Sequence, residues 1–525
     1  MKKSISLLMS AILVLSITLT GCGAGNGEKK GQAEPGGVEA DTGTGEKKDT
    51  LIIGQYGDAP NLDPHNCLND NAMRVMINIY DPLIRMDENF KPVPCVAENW
   101  EISEDGLEYT FKIKKGIKFH NGDELKVSDV VYSVNRGVDS PQASPSYSGV
   151  EKAEAVGEDS VKVTLKSPNT QILAALSLPL AGIVSEKAVT EAEADGGTYG
   201  REPVGSGPYK LSNWVTGEKI ELVSYEDYHE GPAKIKNVTF RAIEDQSAAV
   251  ISLQKGDIDA YVDLNQSNFN QIKSDENLEL HLGKSFAYQY VAFNCQKAPF
   301  DNVKVRQAIA HAIDKNSLVN GIADGVGDVI DTIATPDMVG YTDDITKYDY
   351  NLDTAKKLLA EAGYPDGFEC DIAVYLDLYS KYAQVLQASL AEIGVKASVT
   401  FMERSAFDDY TYSGKSDIIF YGNTYSGPDM SDVSVYNLLH SSAIDKKSSR
   451  IFYKNPKVDQ LLEEGRQTLD DTKRGEIYQE MLKVVSEDTP IVPFIWTYKN
   501  IAANKNLKNV YAQPQSIYYV YDYEW

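Results

Sequence analysis

The residues of this chain that could do chemistry are six histidines, five cysteines and a few serine-centred turns, and their spacing argues against catalysis. His229-Glu230 resembles the start of a zinc-hydrolase helix, but Gly231-Pro232-Ala233 follows, so the second histidine is missing and Pro232 would break the helix. Ser206, in Gly205-Ser206-Gly207, lacks the flanking spacing of a nucleophile elbow, and no Walker sequence is present to cradle a phosphate. His65, His120, His229, His281, His311 and His440 are scattered and read as structural or exposed groups. Cys67, Cys95, Cys295 and Cys370 are far apart with no CxxC, so zinc-type spacing is absent and any disulfide pairing stays open. Cys370 alternates with Phe368, Ile372 and Val374 and reads as a packed small apolar residue. These residues predict no enzyme, no metal site and no cofactor.

A binding role needs elements that shape a cleft. The chain has 525 residues, 42% of them hydrophobic, which predicts two or three lobes. Its formal net charge of −26 disfavours nucleic acid, whose affinity comes mainly from Lys and Arg on phosphates. Residues 51–56 read as a strand followed by a loop containing Asp58, Ala59 and Asn61. A helix follows with Asp70 as N-cap and Met73, Met76, Ile77 and Tyr80 on one face. Alternation over 100–119 predicts antiparallel hairpins of an inserted β-rich lobe. Residues 368–376 predict a strand. The helix after it is capped by Ser380, carries Ala383, Leu386, Leu390 and Ile393, and ends at Gly394. Strands at 395–401 and 417–421, with a helix at 406–412 between them, complete a βαβαβ order and a mostly parallel sheet. Such sheets bind ligands beyond the carboxyl ends of their strands, which points to the loop 422–429. His65 and His440 fall near these predicted cleft loops.

The first two dozen residues carry a separate signal. Lys2 and Lys3 precede an apolar run over 5–19 that is too short for a comfortable membrane span, and Leu19-Thr20-Gly21-Cys22 resembles a lipoprotein lipobox. That resemblance implies a signal peptide over 1–21 and a lipidated Cys22, which anchors the chain to the outer face of the cytoplasmic membrane. The Gly-, Glu- and Lys-rich residues up to 48 read as a flexible tether with a reach of roughly 30 Å.

Several blocks then converge: Ile79-Tyr80-Asp81-Pro82-Leu83-Ile84, Ala97-Glu98-Asn99-Trp100, the run from Tyr109 through Phe119-His120-Asn121-Gly122-Asp123 to Ser133, Pro203-Val204-Gly205-Ser206-Gly207-Pro208-Tyr209, Asn294-Cys295-Gln296-Lys297-Ala298-Pro299-Phe300, Val305-Arg306-Gln307-Ala308-Ile309 and Ala362-Gly363-Tyr364-Pro365-Asp366-Gly367. Across about residues 51–525 the chain resembles the oligopeptide-, dipeptide- and nickel-binding proteins that feed ABC importers, the family 5 extracellular solute-binding proteins. The resemblance implies an α/β, two-lobed, hinged class II periplasmic-binding-protein-like fold with an additional β-rich domain. It maps domain I to 49–82, 203–286 and 498–525, domain II to 83–202 and domain III to 287–497. It also implies a monomer that takes a small peptide or related solute and meets permease subunits with cytoplasmic ATPases.

In such proteins a peptide adds as a strand while hydrated pockets accept its side chains. The resemblance places the receiving edges at Ala59 and Asn61 and at Tyr421, Gly422 and Asn423. It places pocket aromatics at Tyr147, Tyr290 and Trp496, with Tyr288 on the strand face of Tyr290 and Tyr425 in the loop 422–429, and gives Arg404 either a ligand carboxylate or an exposed salt bridge as partner. Thr424 stands where some relatives place an aspartate for the ligand's amine. Either Asp429 or Asp432 takes that task, or the ligand lacks a free amine. Alternative ligands in the wider family are nickel chelates, opines, glutathione-like compounds and haem. A secreted peptidase, a chaperone-like envelope protein and a sensor that signals without transport are the competing readings.

Overall fold

A computed structural model describes residues 48–525 except 88, 89, 145, 148, 426 and 447. The expected signal peptide, Cys22 and the tether up to residue 47 lie outside the described residues. Among the described residues no helix is long and apolar enough to cross a membrane.

Two long strands organise the chain. Thr50–Gln55 form β1 and the long strand Leu278–Phe293 forms β2. They are followed by β3 (Glu369–Val374), β4 (Lys396–Phe401), β5 (Ile418–Thr424) and β6 (Ile491–Asn504). One large sheet has the order β4, β3, β5, β2, β6, Ala260–Val262, β1, Asn237–Ala242, Lys219–Ser224 and Tyr209–Val215. Among the described residues only β2 and β6 run through both halves. Their antiparallel ladder pairs Leu278 with Asn504 through Lys284 with Tyr498, is interrupted, and resumes with Tyr288 opposite Trp496. At the interruption the Ser285 hydroxyl donates to Thr497 O at 2.8 Å and accepts from Ala287 N–H at 2.9 Å. A side chain there takes the place of ladder bonds, and the pairing is locally disrupted.

The halves have separate cores, which makes this a two-lobed fold. In lobe 1 a single cluster runs from Leu51 and Ile53 of β1 to Tyr109, Phe111, Val161 and Val163 of a separate four-stranded antiparallel sheet. The β-rich domain is thereby fused to lobe 1 by shared apolar burial. Lobe 2 buries both faces of its sheet. Ile418 and Phe420 pack with Ile372, Val374 and Phe494 on one face, and Ile419 packs with Tyr288, Tyr290 and Trp496 on the other.

The elements follow the sequence patterns with shifted ends. The helix after β1 is capped by Asn69, whose side chain accepts Ala72 N–H, and Asp70 is its first residue. The helix expected to start at Ser380 spans Asp377–Glu392 and starts after Leu376, and Gly394 follows it at φ +84°.

At the end of the lobe 2 sheet away from the hinge, Asp371 and Asp417 bond each other's main chain. Asp417 N–H donates to Asp371 Oδ1 at 3.1 Å and Asp371 N–H to Asp417 Oδ2 at 3.0 Å. Burial, with the Asp417 carboxyl beside it, pushes Asp371 up to about 6 from a usual value of 3.8. Its contribution to stability is therefore full below the usual value and is lost as pH rises through about 6. Asp371→Asn is expected to raise stability above pH 7 by on the order of 1 kcal/mol after solvent screening, and to change little at pH 4. Urea midpoints at the two pH values check this.

Candidate functional site

The carboxyl end of β5 offers main chain without a strand partner. β3 pairs only with Ile418 and Ile419 of β5, whereas β2 pairs along Ile418 to Thr424. Among the described residues no strand lies on the other edge beyond Ile419. Tyr425 N–H donates to Phe286 O at 2.8 Å. Strand alternation then turns the peptide groups of Tyr421 and Asn423 toward β2, and those of Gly422 and Thr424 toward the open edge.

Beside this edge lies a cavity of about 190 Å³ lined by Tyr290, Tyr412, Tyr421, Asn423, Ser434 and Arg450, among others. Two guanidinium groups flank Tyr421. Arg404 Nη2 donates to the Tyr421 hydroxyl at 2.8 Å and Arg450 Nη2 at 3.4 Å. Arg450 lies 3.8 Å over the Tyr412 ring and 4.7 Å over Tyr421, and Arg404 lies 4.5 Å over Tyr375. Both pair with Asp408, at 3.0 Å from Arg404 and 2.8 Å from Arg450. Two cations sharing one carboxylate leave surplus positive charge at the cavity, in a chain that is acidic overall.

Of the predicted residues, the structure gathers Tyr290, Arg404, Tyr421, Gly422 and Asn423 here. Tyr288, Tyr425 and Trp496, each at most 1% exposed, lie behind them as a stack. Tyr288 and Trp496 are 5.8 Å apart at 18°, and Tyr425 and Trp496 are 6.1 Å apart at 24°. Trp496 Nε1 donates to Ser285 O at 2.5 Å and the Tyr425 hydroxyl to Ile333 O at 2.6 Å. These three, expected to touch ligand, are core residues that hold β2, β5 and β6 together.

Three further expected residues make other contacts. Tyr147 is buried in the β-rich domain, edge-on to His65 at 6.3 Å. A β-carbon on Gly137 would come within 2.1 Å of the Tyr147 ring, so glycine is required beneath it. Asp429 is not a free anchor for an amine: its Oδ2 accepts Arg474 Nε at 3.0 Å and Nη2 at 2.7 Å in a buried pair. Asp432 caps Val433–Leu439, its side chain accepting Ser434 N–H at 2.7 Å.

Ala59 and Asn61 lie at the carboxyl end of β1, where Asn61 Oδ1 accepts Asp63 N–H at 2.9 Å and Leu62 N–H donates to Gly200 O at 2.9 Å. No hydrogen bond among the described residues joins this loop to Tyr421, Gly422 or Asn423.

Sequence reasoning missed Arg450, because nothing in the 448–451 segment signals a cleft, and also Tyr375 and Phe407, whose rings lie 5.8 and 6.2 Å from that of Tyr421 but which carry no cleft signal within their strand and helix patterns. It also missed a cavity of about 1010 Å³ near the hinge, lined by Arg85, Phe90, Lys284, Tyr511, Tyr519 and Tyr521, among others. Close by, donor atoms of Asp81, Cys95 and His229 lie within 4.8 Å of one another. His229 Nε2 is 3.0 Å from Asp81 Oδ2, and Arg85 Nη2 donates to Asp81 Oδ1 at 2.5 Å. Burial alone would raise the Asp81 pKa, but Arg85 and His229 hold it below the usual value. The guanidinium thus fills the place of a cation in this cluster.

Comparison with known proteins agrees with this architecture. The chain is similar to heme-binding protein A of Haemophilus influenzae, with 29% identity over 79% of this chain and 81% of that one. It is also similar to the oligopeptide-binding protein AppA of Bacillus subtilis, with 27% identity over 100% of this chain and 99% of AppA. The solved structure of HbpA2 from Haemophilus parasuis superposes with a TM-score of 0.84 at 28% identity, covering 90% of this chain and 99% of HbpA2. Residues 91–446 match the family described as bacterial extracellular solute-binding proteins, family 5 Middle. With its two hinged lobes and added β-rich domain, the chain belongs to the bacterial extracellular solute-binding proteins of family 5.

Proposed function

We propose that the chain captures an oligopeptide or dipeptide as an added strand on the Gly422–Thr424 edge and delivers it to an ABC importer permease. The carrying observation is that edge: two peptide groups without a strand partner, next to a cavity that can take a side chain or carboxylate. Main-chain pairing at about 0.5–1.5 kcal/mol per bond reaches micromolar affinity with roughly six bonds and reads no side chain. Domain I at 49–82, 203–286 and 498–525, domain II at 83–202 and domain III at 287–497 belong to this reading. So do non-enzymatic action, a monomeric state and an outer-face anchor through Cys22.

The surplus guanidinium charge at Tyr421, with Asp429 committed to Arg474, favours a ligand held by an anionic group. A carboxylate-bearing non-peptide solute is therefore the second reading. Thr424→Pro separates the two. Proline lacks the N–H that faces the open edge and is tolerated on an edge strand. If a peptide pairs there, affinity for binders selected from a casein digest is expected to fall about fivefold to thirtyfold, while unliganded stability stays nearly constant. Unchanged peptide affinity measured by calorimetry would count against strand addition. Release of peptide fragments from the digest would instead favour a peptidase.

A further inference from the structure

The β-rich domain meets lobe 2 at several points, Gly427 against Gln171 and Ala174 among them, and two of these contacts share one support. The hydroxyls of Thr170 and Ser431 lie 2.6 Å apart. The Leu469 side chain lies against Gly106, where a β-carbon would come within 2.9 Å of both Leu469 methyl groups. Gly106 also has φ +67°, so glycine serves both the turn and the contact.

Ser431 and Leu469 belong to separate segments of lobe 2, yet one buried ion pair holds both. Asp429 Oδ1 accepts Ser431 N–H at 2.8 Å. Asp429 Oδ2 takes Arg474 Nε and Nη2, and Arg474 Nη1 donates to the carbonyls of Thr468 at 2.9 Å and Leu469 at 3.0 Å. Asp429 and Arg474 are 5% and 3% exposed. A buried pair this fully bonded fixes geometry more than it adds stability. Each closing contact alone is small, one hydroxyl pair and one methyl-to-glycine contact, so both depend on the two segments being in register.

We infer that Asp429–Arg474 is a positioning pair for lobe closure: it holds Ser431 and Leu469 so that lobe 2 meets the β-rich domain at both points together. The inference rests on solute capture by closing lobes and assigns the acidic residue beside the β5 loop to the latch, not to the ligand.

The full chain carrying Thr170→Cys and Ser431→Cys reports closure without a known ligand, since thiols at this separation can bridge. The rate of disulfide formation in a fixed glutathione buffer is read by mass spectrometry of the cross-linked peptide. The parent pair is expected to cross-link readily. Adding Asp429→Asn is expected to slow it at least about tenfold. Adding Leu469→Ser, which leaves the ion pair in place, is expected to slow it about threefold with hydrogen exchange in β3 and β5 unchanged. That second variant keeps the test decisive if Asp429→Asn unfolds the lobe. Cross-linking at the parent rate in Leu469→Ser, and in Asp429→Asn where that folds, overturns the positioning role and leaves solute capture standing. A parent that does not cross-link, with or without a casein peptide digest, overturns the closed arrangement and the capture reading with it.

Discussion

Trp496→Ala is expected to lower the stability of lobe 2 by about 3–5 kcal/mol. The indole is 1% exposed, stacks on Tyr288 and Tyr425, and its N–H satisfies the Ser285 carbonyl at the hinge irregularity. Truncation removes a large buried surface, opens a cavity among rings too stiff to collapse, and strands a buried acceptor. Trp496→Phe keeps most of the packing and loses the hydrogen bond, so about 1–3 kcal/mol is expected. Urea unfolding without ligand, with hydrogen exchange of β2 and β6 to locate the loss, checks both. Weakened binding with full unliganded stability would place Trp496 at the ligand instead.

Acid should destabilise the other lobe first. His120 is buried with Nε2 3.0 Å from Gly207 O, and Gly205 N–H donates to its Nδ1 at 3.3 Å, so a second ring proton would face a donor. His65 is buried with Nδ1 3.1 Å from Arg136 Nη1. Burial holds the His120 pKa down at about 4, and burial with the Arg136 charge does the same for His65. An unfolded histidine takes its proton near 6.5, so the stability contributed by both is full above that value and is lost as pH falls toward 4. Holding a histidine near 4 rather than 6.5 corresponds to about 3 kcal/mol each. Lobe 1 with its β-rich domain is therefore expected to lose several kcal/mol between pH 7 and pH 4. Asp371 in lobe 2 acts in the opposite direction over the same range. Imidazole NMR titrations that stay flat down to pH 5 for these two residues agree with this, and titration near 6.5 in the folded chain contradicts it.

Legibility in the sequence followed how local the physical signal is. Alternation at Cys370, Ile372 and Val374 and the helical spacing of Ala383, Leu386 and Leu390 gave β3 and its following helix, because burial on one face writes its period into the chain. The helix starts were less legible: Asn69 and Asp70 can both cap, and only the extended backbone at Asn69 decides between them. The β5 edge could be located because ligand crevices lie beyond strand carboxyl ends. The burial of Trp496 was not legible because residues 491–496 are buried throughout, so alternation says nothing about which face meets the cleft. The pairing of Asp429 was not legible because its partner Arg474 lies on the separate helix Asp471–Asp488, and Arg450 reaches Tyr421 only through the fold.

Lobe closure is proposed to hold a solute on the β5 edge. Hydrogen exchange of the Gly422 and Thr424 amides, with and without saturating binders selected from a mixture of casein peptides, haem, nickel–histidine and glutathione, tests it most directly. Saturable protection of those two amides, with scattering that shifts to a more compact shape, is the predicted result. A solute that binds tightly while both amides exchange as freely as before would contradict it.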